Sequence, residues 1–404
     1  MKKLLLLITF AFFLLPFSFA QQYGWTDISA NLPGTLSLTD IFFISDDEGW
    51  ITTSTLAEIY HTTDGGLTFE VQTTPLGATQ AVQMLDANNG YSGGAGGWVY
   101  KTDDGGQNWN ILATMGTLID ISFPPGTDPD NPVGYACGDN GQVWEITSTL
   151  TNLNTGLTGN FRGISAPSVN HVWVCGGNRI YYYNGTSFTS QIAPTGTFND
   201  IHFINNQEGW VVGDGGVIGH TTDGGSSWIR QTNPDPQNRT LIGVFFLDSN
   251  TGWAVGADGI ILHTTDAGTT WTIEEGLTTT FLRGVQFTSP TNGYIAGNNK
   301  TLLKYTEISG IGDETEPLKF EIYPNPAVEE FRACLPAWLV RSSEFRVGGA
   351  SLELFGVDGR KLLEKSIPKG SEEISVDVRS LQSGLYFVRL TVDNKTVTKK
   401  LLIE

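Results

Sequence analysis

The sequence is poor in cysteine and in methionine, three of each among 404 residues, and poor in cationic side chains outside its last quarter. Three cysteines are too few for a disulfide framework, and any pairing leaves one over. Beyond Phe17 no apolar run is long enough to cross a bilayer, so no membrane span is expected in the mature chain. No Gly-x-Ser-x-Gly, His-Glu-x-x-His or phosphate-binding glycine loop occurs. Residues 21–309 hold 8 Lys and Arg against 27 Asp and Glu, a net charge of −19, whereas residues 318–404 hold 13 against 12. Such an acidic surface repels phosphate backbones and anionic lipid, which argues against nucleic acid or a membrane surface as partner.

What the sequence has in quantity is glycine, 49 residues, placed at recurring positions. One phrase is written four times: HTTDGGLTF from His61, KTDDGGQNW from Lys101, HTTDGGSSW from His220 and HTTDAGTTW from His263. A shortened version runs from Tyr183 to Phe188. A second marker, glycine before an aromatic, stands at Gly49-Trp50, Gly90-Tyr91, Gly134-Tyr135, Gly209-Trp210, Gly252-Trp253 and Gly293-Tyr294, with Val172-Trp173 filling the gap. The intervals are 41, 44, 38, 37, 43 and 41 residues, seven units of the length of four short strands and their turns. Period-2 alternation and Gly/Asn/Asp turns predict an all-β chain.

The expected fold is a seven-bladed β-propeller followed by a small antiparallel β-sandwich. Met1–Ala20, with Lys2-Lys3, an apolar run and a small-x-small end, reads as a signal peptide. The propeller is expected over 21–309, an acidic linker (GIGDETEP) over 310–317, and the sandwich over 318–404. The seventh unit lacks a fourth strand, and Tyr23–Ile28 has the pattern of one, so the N-terminal piece is expected to close the ring and remove free sheet edges.

The pattern Ser/Thr-x-Asp-x-Gly-x-x-Trp/Phe resembles the Asp-box, or neuraminidase repeat. With the Gly-aromatic marker at this spacing, the repeat region is similar to the propeller of the photosystem II stability and assembly factors. The tail resembles the C-terminal sorting domain of the type IX secretion system, through Tyr323-Pro324-Asn325-Pro326-Ala327, Asp358-Gly359-Arg360, Ser383-Gly384-Leu385-Tyr386 and the basic-apolar end Lys399–Ile403. These resemblances imply a propeller, and export through the periplasm to the medium or the outer cell surface by type IX machinery acting on 318–404.

The boxes invite a catalytic reading, but their chemistry suits a structural one. Thr and Asp bond the turn backbone, Gly takes the positive φ, and the aromatic packs between sheets. The structural set is Asp64, Asp104, Asp223, Asp266 with Phe69, Trp109, Trp228 and Trp271. His61, His220 and His263 share one position on separate sheets, which pack about 10 Å apart, too far for zinc–nitrogen bonds of about 2 Å. The first strand of each blade should be innermost, so the candidate ligand-binding residues at the channel mouth are Asp40, Gln80, Asp120, Arg162, Asn199, Asp200 and Arg283. The competing role for each Asp is to satisfy backbone groups of the neighbouring blade.

Loops at Asn233–Arg239 and Gly93–Gly97 are further candidates. Trp98 and Tyr181-Tyr182-Tyr183 are candidate platforms, although most such rings belong in a core. Cys137 and Cys175 occupy the same strand position in adjacent blades, and buried free thiols are expected there.

No catalytic residue, cofactor or metal site is assigned. The expected function is that of a monomeric, non-catalytic binding scaffold for an extracellular protein or glycan. Two alternatives stand beside it. One is a carbohydrate-active hydrolase using carboxylates across the channel, for which no Arg-Ile-Pro motif or Tyr/Glu pair is found. The other is an assembly or chaperone-like factor, which rests on the resemblance.

Overall fold

The computed structural model describes residues 23–153, 156–274, 277–307, 320–334, 350–367, 373–392 and 395–404. The signal peptide, the 310–317 linker and the Asp393-Asn394 turn expected from the sequence lie outside these. The chain divides into two compact units, Tyr23–Glu307 and one that holds Ile308–Glu404.

The first unit consists of seven four-stranded antiparallel sheets. Sheet 1 is built from Leu38–Phe43, Gly49–Thr53, Glu58–Thr62 and Glu70–Thr73. Sheets 2 to 6 follow in chain order over residues 79–114, 118–152, 163–190, 198–230 and 241–274. Sheet 7 takes Leu282–Ser289, Asn292–Gly297 and Leu302–Glu307 from the end of the unit and Tyr23–Asp27 from its beginning. Tyr23–Asp27 runs antiparallel to the third strand of that sheet, with Trp25 opposite Tyr305. Each first strand packs on the first strands of its two neighbours, and that of sheet 7 packs on that of sheet 1, so the ring of a β-propeller is closed.

The Gly-aromatic marker has a packing cause. In sheet 1 the last residue of the first strand, Phe43, lies directly across from Gly49. A Cβ on Gly49 would sit 2.4 Å from the Phe43 ring, so glycine is what lets that ring lie flat over the strand. The freed face of Phe43 stacks on Tyr294 of sheet 7 at 3.7 Å. Trp173, Trp210 and Trp253 stack in the same way on Phe203, Phe246 and Phe287 of the next sheet, at 3.8, 3.5 and 3.5 Å. Marker and Phe together therefore form a sheet-to-sheet stack that repeats around the ring, each pair contributing about 0.5–1.5 kcal/mol beyond burial. Cys137 and Cys175 lie buried in this packing as free thiols, and Cys334 is free as well.

In the C-terminal unit, Glu321–Tyr323, Glu330–Cys334 and Glu373–Asp377 form one sheet. Lys361–Ser366, Ala350–Gly356, Gly384–Val392 and Lys395–Ile403 form the other, in that spatial order. Phe320, Phe331, Val376, Leu352, Leu354, Val388, Leu390 and Leu401 close a common core between them, the antiparallel sandwich expected from the alternation.

Candidate functional site

Polar side chains line at least two recesses of the propeller. The first is the central channel, a cavity of about 250 Å³ lined by first strands from the whole ring. Asp40, Asp120 and Asp200 all reach it. The cause is local: the first strands of sheets 1, 3 and 5 carry an extra residue at this point, ahead of Asp120 and Asp200 and between Leu38 and Ile41. A bulge of this kind turns the next side chain inward.

Each carboxylate bridges two sheets. Asp40 accepts from the Ile41 amide at 2.8 Å and from the Val82 amide of sheet 2 at 2.9 Å. Asp120 accepts from Ile121 and from Ile164 of sheet 4, both at 2.8 Å. Asp200 accepts from Ile201 and from Val244 of sheet 6, both at 2.8 Å. Although each keeps partial exposure to the bore, it is ringed by protein, and burial pushes Asp40 up to about 6 and Asp200 up to about 7. Asp120 is raised well above the carboxylate range, by burial and then by the charges of Asp200 and Asp40. The three form one electrostatic unit whose oxygens already hold backbone donors.

The other channel-mouth candidates do not line this cavity. Gln80, Asn199 and Arg283 are themselves the extra residues of the bulges, and Arg162 precedes its strand. Asn199 is buried and donates to Asp214 and to the Leu241 carbonyl, both at 2.9 Å. Arg283 donates to Asn298 at 2.8 Å and lies over the Phe281 ring. The loop 233–239 is held from within, Asp235 accepting from the Arg239 guanidinium at 3.0 Å while 2% exposed.

A second tier, two residues along each first strand, was not singled out from sequence. Gln83 brackets the Phe123 backbone, accepting at 2.8 Å and donating at 3.2 Å, and Gln286 does the same to Phe43 across the closing seam. Ser122 and Ser165 accept from Ala166 and Phe203, each at 2.9 Å. His202 bonds the Phe246 backbone, and burial pushes it down to about 4. The period-2 spacing from the aspartates was the available signal.

The boxes form identical turns. In the first, Thr62 donates to Asp64 at 2.8 Å and accepts from Gly66 N–H at 2.9 Å, and Asp64 accepts from the Thr68 amide and hydroxyl at 2.9 and 2.6 Å. These bonds, the Thr68 hydroxyl foremost, hold Asp64 at about 2, and Gly65 and Gly66 take φ of 68° and 87°. The residue after each box Asp offers its carbonyl to the preceding sheet. Gly105, Gly224 and Ala267 accept from the indoles of Trp50, Trp173 and Trp210, each at 3.2 Å. The same carbonyls accept from Gln72, Gln191 and Gln231 at 2.8, 2.8 and 2.7 Å. Sheets 3 and 7 have no box, and Tyr91 Oη and Trp253 Nε1, on the sheets before them, are buried without a partner among the described residues.

Over these Trp rings lies a further pair of positions. In sheets 1 and 5 a histidine stacks on the Trp, His61 on Trp50 at 4.4 Å and His220 on Trp210 at 4.5 Å. Each histidine is closed by a glutamate, Glu48 at 3.3 Å and Glu208 at 3.2 Å. In sheet 6 His263 stacks on Trp253, but Thr251 holds the glutamate's position and His263 pairs with Glu274 through Nδ1 at 3.0 Å. Sheet 4 differs at both positions: Tyr182 lies across from Trp173, and His171 replaces the glutamate. Here the second recess opens, about 430 Å³ between sheets 4 and 5.

Residues 186–276 and 241–306 match the family model described as photosynthesis system II assembly factor YCF48, and residues 321–404 match the secretion system C-terminal sorting domain. No curated protein sequence matches the chain. Among solved structures it is similar to YCF48 from Cyanidioschyzon merolae, with 18% identity, a TM-score of 0.59, and coverage of 70% of this chain and 98% of that one. A second is YCF48 bound to D1 peptide, at 20% identity and TM-score 0.57 over 72% of this chain and 98% of that one. The WD40 propeller domain of Doa1 follows at 12% identity and TM-score 0.59, covering 71% and 98%. Identities this low speak for the fold alone. By fold and by family match, the chain joins a β-propeller similar to YCF48 to a C-terminal sorting domain of the type IX class.

Proposed function

We propose that this chain is a non-catalytic binding scaffold, displayed at the cell surface or released, whose propeller holds an extracellular protein or glycan. The sorting domain indicates export, and it is the observation that carries the reading, because it commits the propeller to act outside the cell. Against a hydrolase stands the fact that Asp40, Asp120 and Asp200 each already accept two backbone amides, one from the next residue of the same strand and one across a sheet seam. The likeness to YCF48, one structure of which is bound to a peptide, supports a second reading, in which the ligand is a polypeptide and the role is assembly.

The test is to express the full chain and a chain ending before residue 318 in a type IX-competent host and to fractionate the cells. The full chain is expected outside and the truncated one in the periplasm. Equal surface amounts of both would overturn the export part. Release of sugar from a polysaccharide panel by the wild type, lost in Asp120→Asn, would replace binding by catalysis.

A further inference from the structure

We propose that the recess between sheets 4 and 5 binds a neutral sugar unit of a glycan, an inference that rests on the binding-scaffold reading and names its ligand and its site. The propeller supplies its own comparison. The histidine and glutamate that close the tryptophan in sheets 1 and 5 are Tyr182 and His171 in sheet 4. Tyr182 leans on Trp173 at 4.8 Å and 33°, and the His171 ring stands 6.0 Å from it without a hydrogen bond between the two. A histidine–glutamate contact that seals the ring in sheets 1 and 5 is thus exchanged, in sheet 4, for two rings bordering an open space.

The groups around that space set the chemistry. Tyr182 Oη and the Gln207 side-chain amide line the recess and bond nothing among the described residues. His171 uses Nδ1, 3.2 Å from Ser168 Oγ, and leaves Nε2. No lysine or arginine lines the recess, so it lacks the guanidinium or ammonium that most strongly holds a sulfate, a phosphate or a sugar carboxylate. Its one carboxylate, Asp223, is already engaged by the hydroxyls of Thr221 and Ser227.

Ile192, 85% exposed, adds apolar surface at the rim. Aromatic and apolar faces beside neutral donors and acceptors, in a volume suited to a small ligand, match a sugar ring, which has an apolar face and a rim of hydroxyls. The recess lies on the box side of the propeller, since Asp223 to Ser226 belong to the box of sheet 5.

The full mature chain is titrated calorimetrically with neutral oligosaccharides, with sialylated and sulfated ones, and with uncharged peptides. A neutral oligosaccharide is expected to bind, with Tyr182→Ala weakening it at least tenfold and Tyr182→Phe a few-fold. The double variant Tyr182→His/His171→Glu rebuilds the closed arrangement of sheets 1 and 5, so it is expected to fold and to lose binding. Unchanged affinity in that variant would overturn the site while leaving the scaffold reading in place. Preference for acidic glycans, or binding of peptides in place of sugars, would overturn the ligand class. Absence of binding to every probe would overturn this proposal, while export in the fractionation test would still stand.

Discussion

Gln231 and Trp271 meet across the seam between sheets 5 and 6, the glutamine Oε1 accepting from the indole Nε1 at 3.0 Å while its own Nε2 donates to Ala267 O at 2.7 Å. One amide thus pins both the aromatic and the turn of the next sheet's box. Gln72 and Gln191 hold Trp109 and Trp228 in the same way. At the seam leading to the boxless sheet 7 the position is Glu274, an acceptor only, and it takes the Trp25 indole at 2.5 Å.

Replacing Gln231 by Leu should therefore cost about 1–3 kcal/mol, because it leaves the nearly buried Trp271 indole without an acceptor. Urea denaturation checks this. A midpoint equal to that of the wild type would show that the seam does not depend on the amide.

The channel aspartates predict an unusual pH dependence. Burial pushes Asp40 up to about 6 and Asp200 up to about 7, above the ordinary range of about 4, so the folded state holds more protons than the unfolded chain between these limits. Stability should then fall as pH rises from about 4 to 7. Asp200→Asn should flatten that slope and also cost about 1–3 kcal/mol, since an amide offers one acceptor where the carboxylate offers two. Thermal melts across pH separate the two effects.

Box carboxylates run the other way. Asp64, held at about 2, contributes stability that is fully present above about pH 4 and is lost as pH falls through about 2. Asp64→Ala should remove this acid-side loss and free the Thr68 amide and hydroxyl, seen as faster amide exchange at residues 64–68.

His263 offers a gain. Among the described residues its buried Nε2 has no partner, where His61 and His220 have Glu48 and Glu208. Thr251→Glu should supply that partner and raise stability by about 1 kcal/mol. A lower melting temperature in this variant would mean that the site is filled in another way.

Fold was readable because its determinants are local. A Gly next to an aromatic, and Thr, Asp and Gly spaced within one turn, each report a single strand end, and their period counts the sheets. The site was less readable because its partners lie one repeat away. Asp120 could be placed in the channel from its early position in an innermost strand, but its use by Ile164, 44 positions on, depends on the register between sheets. Gln80, Asn199 and Arg283 share that early place in a first strand, but each is the extra residue of a bulge and does not line the cavity. The exchange at His171 and Tyr182 is invisible until both are laid over Glu48 and His61, and nothing in a single repeat marks it.

Sheet 7 joins strands from the two ends of the repeat region, Tyr23–Asp27 against Leu302–Glu307. This couples the order of delivery to the order of folding. A chain that reaches a compartment N-terminus first brings its clasp strand out about 280 residues before the strand it must pair with, so that strand waits unpaired while six sheets form. Closure is a late, long-range event, slow by the loop entropy it must overcome. Until it happens the exported molecule has two raw sheet edges, and a strand from a second copy could take the waiting place.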